Sequence, residues 1–307
     1  MSFSNSNHKI LIIGGSGHVS GTLARMAVAE GHEVWTVTRG ERPVPDGVIA
    51  LTADRHDVAQ FAEAIKSADA RWDLVVDCIG YDPQDVRQDI SVFRDLAKQF
   101  VFVSTDFVFN PFHRTFPQGE TSDYYQTEGY GGKKRQCELE LIDGDTGDME
   151  WTILRPCHIY GPGSELGCLP MHSRDTELID KIRAGVKLEL VGGGYFLQQP
   201  ILARDLAKTI LSVTGNKKSF KRIFQTAGPD IVESREYYRI IAEILGVGLE
   251  IEELPVYKYL AENPGPMASF ICHRIYDLNS LRDCGLSVPS TPIEVGLKEH
   301  VESLLAR

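Results

Sequence analysis

Tyr130 and Lys134 stand four residues apart in the segment YGGKK, a spacing that could support proton transfer. Residues so spaced share one face of a helix, if the segment is helical. An ammonium near a phenol favours the phenolate and lowers the tyrosine pKa, so that the side chain can exchange a proton with a substrate hydroxyl or carbonyl. Among the 11 tyrosines, only Tyr130 has a lysine or arginine four residues later. Chance alone would give one such pair in a chain of this size, so other residues must support the interpretation.

Hydroxyl groups at the end of an apolar run give that support. The segment FVFVSTDFVF, at 100–109, reads as a buried strand that ends in Ser104 and Thr105. Ligands of open α/β sheets bind at the carboxyl ends of the strands, where these hydroxyls would lie. The segment LRPCHIYGPG, at 154–163, leaves another strand toward the same edge. The alternative is that the two hydroxyls only cap the last backbone groups of the strand.

A glycine-rich stretch, ILIIGGSGHVSG at 10–21, follows directly on the first apolar run. Gly14 permits a tight turn, and Gly17 allows a pyrophosphate to approach the main chain. The next segment has helical spacing, and the N-terminus of a helix attracts an anion with its free N–H groups and its dipole. The stretch therefore predicts a dinucleotide site, although glycine-rich turns also occur for structural reasons alone.

The end of the second predicted strand, VWTVTRG, indicates which dinucleotide is bound. An acidic residue at this point accepts hydrogen bonds from the adenosine ribose, whereas an arginine accommodates a 2′-phosphate. This chain has Thr38 and Arg39, with no carboxylate before Glu41. We therefore expect NADP rather than NAD, although NAD remains an alternative and Arg39 could be an ordinary surface residue.

Short apolar runs alternate with helical patterns from residue 10 to about 155, which is typical of an α/β fold. Right-handed crossovers then give a Rossmann-type, doubly wound parallel sheet. After Pro156 the loops become rich in glycine and proline, and helical patterns dominate. We predict a disordered leader at 1–9, a dinucleotide-binding domain at 10–160 and a smaller, mainly substrate-binding C-terminal domain at 161–307, some of whose segments return to the sheet.

Composition excludes several classes of protein. The 307 residues carry a formal net charge of −11, which disfavours nucleic acid and anionic membrane surfaces as partners. No apolar run approaches the roughly 20 residues of a membrane span. The six cysteines show neither metal-ligand nor disulfide spacing, so we expect no metal site and a reducing, cytoplasmic location.

These motifs together resemble the extended short-chain dehydrogenase/reductase family, which contains the NAD-dependent epimerases and dehydratases. The likeness extends over nearly the whole chain and includes ADRHD at 53–57, DLVVDCIG at 73–80, STDFVF at 104–109 and PILARDLA at 200–207. The resemblance implies that Thr105 hydrogen-bonds the reacting oxygen, that Tyr130 is the acid or base, and that Lys134 lowers its pKa and holds the nicotinamide ribose. It also implies a small-molecule substrate and, through helices of the sheet domain, a homodimer.

The resemblance also implies a set of cofactor contacts. Asp54 and Arg55 would lie by the adenine. Others come from the glycine turn, the end of the DLVVDCIG strand and the nicotinamide end: Gly14, Gly15, Ser16, Gly17, His18, Val19, Cys78, Ile79, Gly80, Pro156, His158 and Ile159.

Three departures from the family pattern refine the substrate. Ser20 replaces the third glycine of the turn, and Phe107 stands where sugar 4,6-dehydratases carry a glutamate, so elimination of water is not expected. Where many relatives have an arginine that holds a sugar nucleotide's pyrophosphate, this chain has Gln198 and Gln199. An amide is a poor substitute for a guanidinium against an anion. We expect a neutral pocket, with these substrate-binding candidates: Asp106, His172, Tyr195 and Gln198.

The sequence thus predicts an NAD(P)-dependent oxidoreductase or epimerase. It would move a hydride to or from a secondary alcohol or ketone carbon of a polar substrate, which we expect to be a sugar or a nucleotide sugar. The alternative is a catalytically silent, NADP-binding relative with a regulatory or RNA-associated role. Such relatives often lose the tyrosine or the lysine, and this chain keeps both.

Overall fold

The structure is a computed structural model, and it describes residues 7–263 and 270–307. Residues 1–6 of the predicted leader lie outside the described residues. The last part of that segment is tied to the fold, because the Asn7 side chain accepts a hydrogen bond from the backbone of Glu33 and Lys9 opens the first strand.

A seven-stranded parallel sheet forms the centre of the protein, as the sequence predicts. Its strands run in the order β11–β6–β5–β4–β1–β2–β3, and every neighbouring pair is parallel. The order reverses between β1 and β4, where open α/β sheets bind ligands. The strands are β1 (Lys9–Ile13), β2 (Glu33–Thr38), β3 (Ile49–Thr52), β4 (Leu74–Asp77), β5 (Gln99–Val103), β6 (Glu150–Pro156) and β11 (Arg222–Thr226).

Helices cover both faces of this sheet. Along β1, Ile10 and Ile12 belong to one apolar cluster and Leu11 and Ile13 to another, and all four side chains are fully buried. A strand buried on both faces is apolar at every position, which explains the unbroken run in the sequence. The covering helices are α1 (His18–Ala29), α2 (Val58–Ser67), α3 (Pro83–Phe93), α4 (Gly129–Asp143) and α6 (Ala203–Ser212).

The remaining elements form a smaller unit around a third apolar cluster, which contains Tyr160, Tyr237 and Tyr238. Its strands pair two by two: β7 (Ile159–Tyr160) with β10 (Ile201–Leu202), β8 (Leu188–Val191) with β13 (Ile251–Leu254), and β9 (Leu197–Gln198) with β12 (Val232–Glu233). Its helices are α5 (Leu178–Arg183), α7 (Ser234–Leu245), α8 (Val256–Glu262) and α10 (Ile293–Leu305). Helix α9 (Asn279–Asp283) returns to the central sheet, where it contacts β11 and buries Leu281 in the first apolar cluster. Within the described residues, no helix combines the length and apolar character that a membrane span requires.

Candidate active site at the carboxyl edge of the sheet

The glycine-rich turn lies between β1 and α1, where the sequence predicts it. Gly14 and Gly15 have φ of +108° and +137°, a region that side-chain-bearing residues rarely enter. A Cβ on Gly15 would lie 2.5 Å from the Thr36 side chain, so only glycine fits there. Gly17 caps α1 without a side-chain hydrogen bond, which leaves the amides of the first turn accessible to an anion. The turn therefore fits a dinucleotide pyrophosphate.

Ser20, in the place of the family's third glycine, is integrated into this turn. Its side chain is buried, and its hydroxyl accepts a hydrogen bond from the Gly17 amide at 3.2 Å. A Cβ on Gly14 would lie 3.2 Å from the same hydroxyl oxygen. The serine thus fills the space beside the glycine turn.

At the adenosine end, Arg39 follows β2 and pairs with Glu41 at 2.9 Å, with both side chains about three-fifths exposed. The carboxylate of Asp54 accepts a hydrogen bond from the backbone of His56. Arg55 corrects the expectation from sequence. Its guanidinium is buried and contacts three carboxylates, those of Asp77, Asp85 and Asp89, so its side chain is not available to an adenine.

The DLVVDCIG segment ends beside the same groove. The backbone amide of Ile79 donates to the Asp77 carboxylate at 2.8 Å, and a Cβ on Gly80 would lie 2.1 Å from the other oxygen of that carboxylate. Gly80 is therefore required for the tight path of the chain after β4. Cys78 faces the active-site cavity described next, and burial raises the pKa of its thiol.

The catalytic candidates Thr105, Tyr130 and Lys134 line a single cavity of about 1240 Å³ at the carboxyl edge of the sheet. Thr105 follows β5, and the other two lie in the first turns of α4. The cofactor candidates Val19, Cys78, Pro156, His158 and Ile159 line the same cavity, as do Ser104, Asp106 and His172. The structure therefore brings all three catalytic candidates to one place, together with five of the cofactor candidates.

Two glycines of the YGGKK motif explain how the tyrosine reaches the threonine. A Cβ on Gly131 would lie 2.0 Å from the carbonyl oxygen of Phe107, and a Cβ on Gly132 would lie 2.5 Å from the backbone of Thr127. The first turn of α4 therefore packs directly on the chain that leaves β5. Sequence reasoning missed this role, and the two adjacent glycines in a helical segment were the signal for it.

Lys134 is not among the groups that shift the pKa of Tyr130 most. Its ammonium is buried and donates to the carbonyls of Gly80 at 2.8 Å and Val103 at 2.7 Å. Burial, with a smaller effect of Tyr81, raises the pKa of Tyr130 to about 12, while a side-chain hydrogen bond with Thr105 acts in the opposite direction. The phenol is therefore a proton donor at neutral pH, and the lysine joins β4 and β5 to α4.

The segment after β6 forms another wall of the cavity. Burial lowers the pKa of His158 to about 4, and burial likewise lowers the pKa of His18, at the start of α1, to about 4. Both imidazoles are thus neutral at physiological pH. Neither of them adds positive charge to the cavity.

Asp106 is held by residues that follow it far along the chain. Arg274 and the Tyr276 hydroxyl both donate to its carboxylate, and Arg114 donates to its carbonyl at 2.9 Å. The Arg274 side chain is 1% exposed. In contrast to the sequence-based expectation, the Asp106 carboxylate is therefore engaged within the protein, and it fixes the segment around Arg274 against the catalytic loop.

Of the other three substrate candidates, one lines the cavity and two do not. His172 lines the cavity, but one ring nitrogen contacts the Asp175 carboxylate at 3.2 Å and the other the Glu189 carbonyl at 2.9 Å. Tyr195 is exposed beneath the Arg235 guanidinium and is not among the residues that line the cavity. Gln198 is buried and does not line the cavity, and neither atom of its amide has a partner among the described residues.

Gln199 is likewise structural. Its amide nitrogen donates to the Gly228 carbonyl at 2.8 Å, and its oxygen accepts from the Tyr276 backbone at 2.8 Å. Ser104, the other hydroxyl at the end of β5, donates to Glu138 at 2.6 Å. Glu138 in turn accepts two hydrogen bonds from Arg155, at 2.7 Å each, in a fully buried pair.

Comparisons with known proteins agree with the fold. The NAD dependent epimerase/dehydratase family model matches residues 10–227. The chain belongs to this family. Among solved structures, it is similar to a UDP-glucose 4-epimerase from Thermotoga maritima, with a TM-score of 0.78 and 18% identity over 97% of this chain and 99% of that one. It is also similar to a dTDP-glucose 4,6-dehydratase from Bacillus anthracis in complex with NAD, with a TM-score of 0.77 and 16% identity over 98% and 97% of the two chains. At these identities the likeness establishes the fold.

A curated relative is named for binding and not for an enzymatic reaction. The chain is 27% identical over 243 residues to the chloroplast stem-loop binding protein of 41 kDa b from Arabidopsis thaliana. The match covers 74% of this chain but only 61% of that protein. Family membership therefore supports an enzyme that uses a nicotinamide dinucleotide, while the type of reaction needs its own argument.

Proposed function

We propose that this protein is an NADP-dependent oxidoreductase or epimerase that acts at a secondary alcohol or ketone carbon of a polar, sugar-like substrate. The observation that carries the proposal is the convergence of Thr105 and Tyr130 in one cavity that also reaches Val19 at the start of α1. A proton donor and a hydroxyl that positions oxygen thus lie within one enclosed space with the end of the dinucleotide groove.

In this proposal the protein controls the proton. The Tyr130 phenol, protonated at neutral pH, donates to the oxygen of a ketone that is being reduced, and it accepts the proton back in the reverse direction. Thr105, buried beside it, orients that oxygen with a hydrogen bond. Lys134 fixes the start of α4 through two main-chain carbonyls. A bound nicotinamide would supply or accept the hydride.

NADP is our choice of cofactor because Arg39 ends the second strand. Its present partner, Glu41, is an exposed residue, and an exposed ion pair contributes little stability. A 2′-phosphate can therefore displace the carboxylate. Beside the glycine turn, a second cavity is lined by Gly15, Ser16 and Arg25 among others, which places another cation near the adenosine end.

The proposal is tested by purifying the protein, identifying any nucleotide released on denaturation, and screening sugars, sugar phosphates and sugar nucleotides for a change in reduced-nicotinamide absorbance. We expect NADP or NADPH and turnover with at least one polar carbonyl or alcohol. Binding of the dinucleotide with no turnover across all these classes would count against an enzyme.

A homodimer and a cytoplasmic location remain part of the proposal. Leu139 and Ile142 are exposed apolar residues on α4, which packs against α3, and they offer a surface that a second copy could cover. Sedimentation velocity of the wild type and of Leu139→Glu tests this, because a dimer through α4 would dissociate in the variant.

The second candidate function is a dinucleotide-binding protein that associates with RNA. It is favoured by the similarity to the stem-loop binding protein, and it is opposed by the net charge of −11. Fluorescence anisotropy with a stem-loop RNA at physiological salt distinguishes the two. Submicromolar binding that Tyr130→Phe leaves unchanged, together with an absence of turnover, would favour this alternative.

A further inference from the structure

Arg174 is an exposed cation that lines the candidate active-site cavity and has no acidic partner in the part of the chain that the structure describes. It lines the cavity, and no hydrogen bond or ion pair joins its guanidinium to another of the described residues. Two other arginines that could hold an anion are committed elsewhere. Arg204 makes a two-pronged pair with Glu299, at 2.9 and 3.0 Å, and Arg274 is engaged by Asp106.

The loop that carries Arg174 is anchored at several points. The Tyr238 hydroxyl donates to the carbonyls of Cys168 and Met171, at 2.8 and 2.6 Å, and accepts from the Cys168 amide. The His172 ring lies between Asp175 and the Glu189 carbonyl. The guanidinium is thus presented by a fixed loop, which lowers the entropy cost of binding a ligand there.

The backbone of this loop is strained at His172 and Arg174. His172 and Arg174 have φ of +58° and +57°, in the left-handed region that disfavours side-chain-bearing residues. A Cβ on Gly167 would lie 1.6 Å from the His172 carbonyl oxygen, so the loop folds tightly onto that glycine. Strain of this kind persists when the surroundings enforce it, and it concentrates at ligand sites.

The charge of Arg174 acts at the catalytic end of the cavity. Burial is the main cause of the lowered pKa of His158, and the charge of Arg174 acts in the same direction. The charge of Arg174 also opposes the burial that raises the pKa of Tyr130. The neighbouring Lys181 is already paired with Asp175 at 2.9 Å. Glu128 also lines the cavity, yet it is not among the groups that shift Tyr130 most. Asp106 also acts on the phenol and raises its pKa, but its carboxylate already accepts hydrogen bonds from Arg274 and Tyr276, whereas Arg174 has no such partner among the described residues.

We propose that Arg174 binds an anionic group of the substrate, a phosphate or a carboxylate carried close to the reacting carbon. The inference rests on the proposed function and names its substrate class: a sugar monophosphate or a sugar acid. A guanidinium can hold one such group with two hydrogen bonds. This proposal differs from the expectation of a neutral pocket. That expectation rests on Gln198 and Gln199, whereas the positive charge comes from the loop that carries Arg174.

The test uses inorganic phosphate as the probe on the full chain saturated with NADP, with calorimetry as the readout. We compare the wild type with Arg174→Gln and with the matched control Arg183→Gln, which removes an exposed arginine at the end of α5 that does not line the cavity. Loss of one charge-assisted interaction should weaken phosphate binding about 10-fold or more in Arg174→Gln. The control should bind phosphate as the wild type does.

The outcomes separate this inference from the proposed function. Equal phosphate binding by the wild type and Arg174→Gln, or no binding at millimolar concentration, would overturn the role of Arg174. A loss of NADP affinity in Arg174→Gln, with phosphate competing against NADP, would assign the residue to the cofactor and also overturn the inference. The proposed function is tested by turnover and not by phosphate binding. Tyr130→Phe should lose turnover but still bind phosphate through Arg174, so the two proposals can fail separately.

Discussion

Tyr130→Phe is the substitution that tests the proposed chemistry most directly. It removes the phenol oxygen and keeps the ring that packs against Tyr81 and Phe107, at centroid distances of 6.4 and 6.1 Å. Proton transfer by a positioned side chain contributes about 10²- to 10⁴-fold, or about 3 to 5.5 kcal/mol at 1.36 kcal/mol per factor of ten. Thr105 remains beside the vacated position and can still donate one hydrogen bond to the substrate oxygen. We therefore expect a loss near the lower end, about 10²- to 10³-fold in kcat.

The assay is the rate of change in reduced-nicotinamide absorbance, with cofactor affinity measured separately by titration. Tyr81→Phe is the matched control, because it removes a second phenol oxygen from the same cavity. We expect the control to keep most of its activity and both variants to bind the cofactor as the wild type does. Wild-type turnover in Tyr130→Phe, or an equal loss in Tyr81→Phe, would refute the assignment of Tyr130 as the proton donor.

Three further predictions concern charged residues. NADPH should bind more tightly than NADH. Arg39→Ala should reduce the ratio of the two affinities, whereas Glu41→Gln should increase it. Equal affinities of the wild type for NADPH and NADH in calorimetry would refute this. Burial raises the pKa of Asp89 well above 3.8, so the folded chain holds a proton that the unfolded chain releases. Stability should therefore fall as pH rises from 3.8 toward that raised pKa, and Asp89→Asn should lack this loss in denaturant titrations at a series of pH values. Arg274→Met should destabilise the fold by about 3 kcal/mol because it removes the nearer of the two buried cations of the Asp106 carboxylate and leaves only Arg114, at 3.7 Å, and Asp106→Asn in the same chain should recover part of that loss.

Much of the fold follows from local patterns in the sequence. Strands such as β1 and β5, which are buried on both faces, are short apolar runs, and helices such as α2 and α6 have one apolar face. Their alternation along the chain predicts a parallel, doubly wound sheet. The glycine turn is also local, because the conformations of Gly14 and Gly15 need residues without a side chain. Features of this kind depend on neighbours in sequence and can therefore be predicted.

The environment of individual site residues could not be predicted in the same way. Asp106 looks available in the sequence, yet its partner Arg274 lies 168 residues later. Arg55 follows Asp54 in a motif associated with the adenine, but three carboxylates from β4 and α3 surround its guanidinium. Whether a polar side chain faces a ligand or another residue is decided by tertiary packing, and the sequence shows only that the side chain is polar.

The same long-range contacts connect the loop after β5 to the smaller unit. Tyr276 donates its hydroxyl to Asp106, directly after Thr105, and its amide to Gln199, directly after β9. A change at Gln199 is thus transmitted to the threonine through two hydrogen bonds. Replacing Gln199 with the arginine of its relatives would place a cation where Gly228 now accepts a hydrogen bond, and it would break the contact with Tyr276. For this reason we expect that one substitution would not restore the pyrophosphate clamp, and the proposed anion site at Arg174 lies in the cavity that Gln199 does not line.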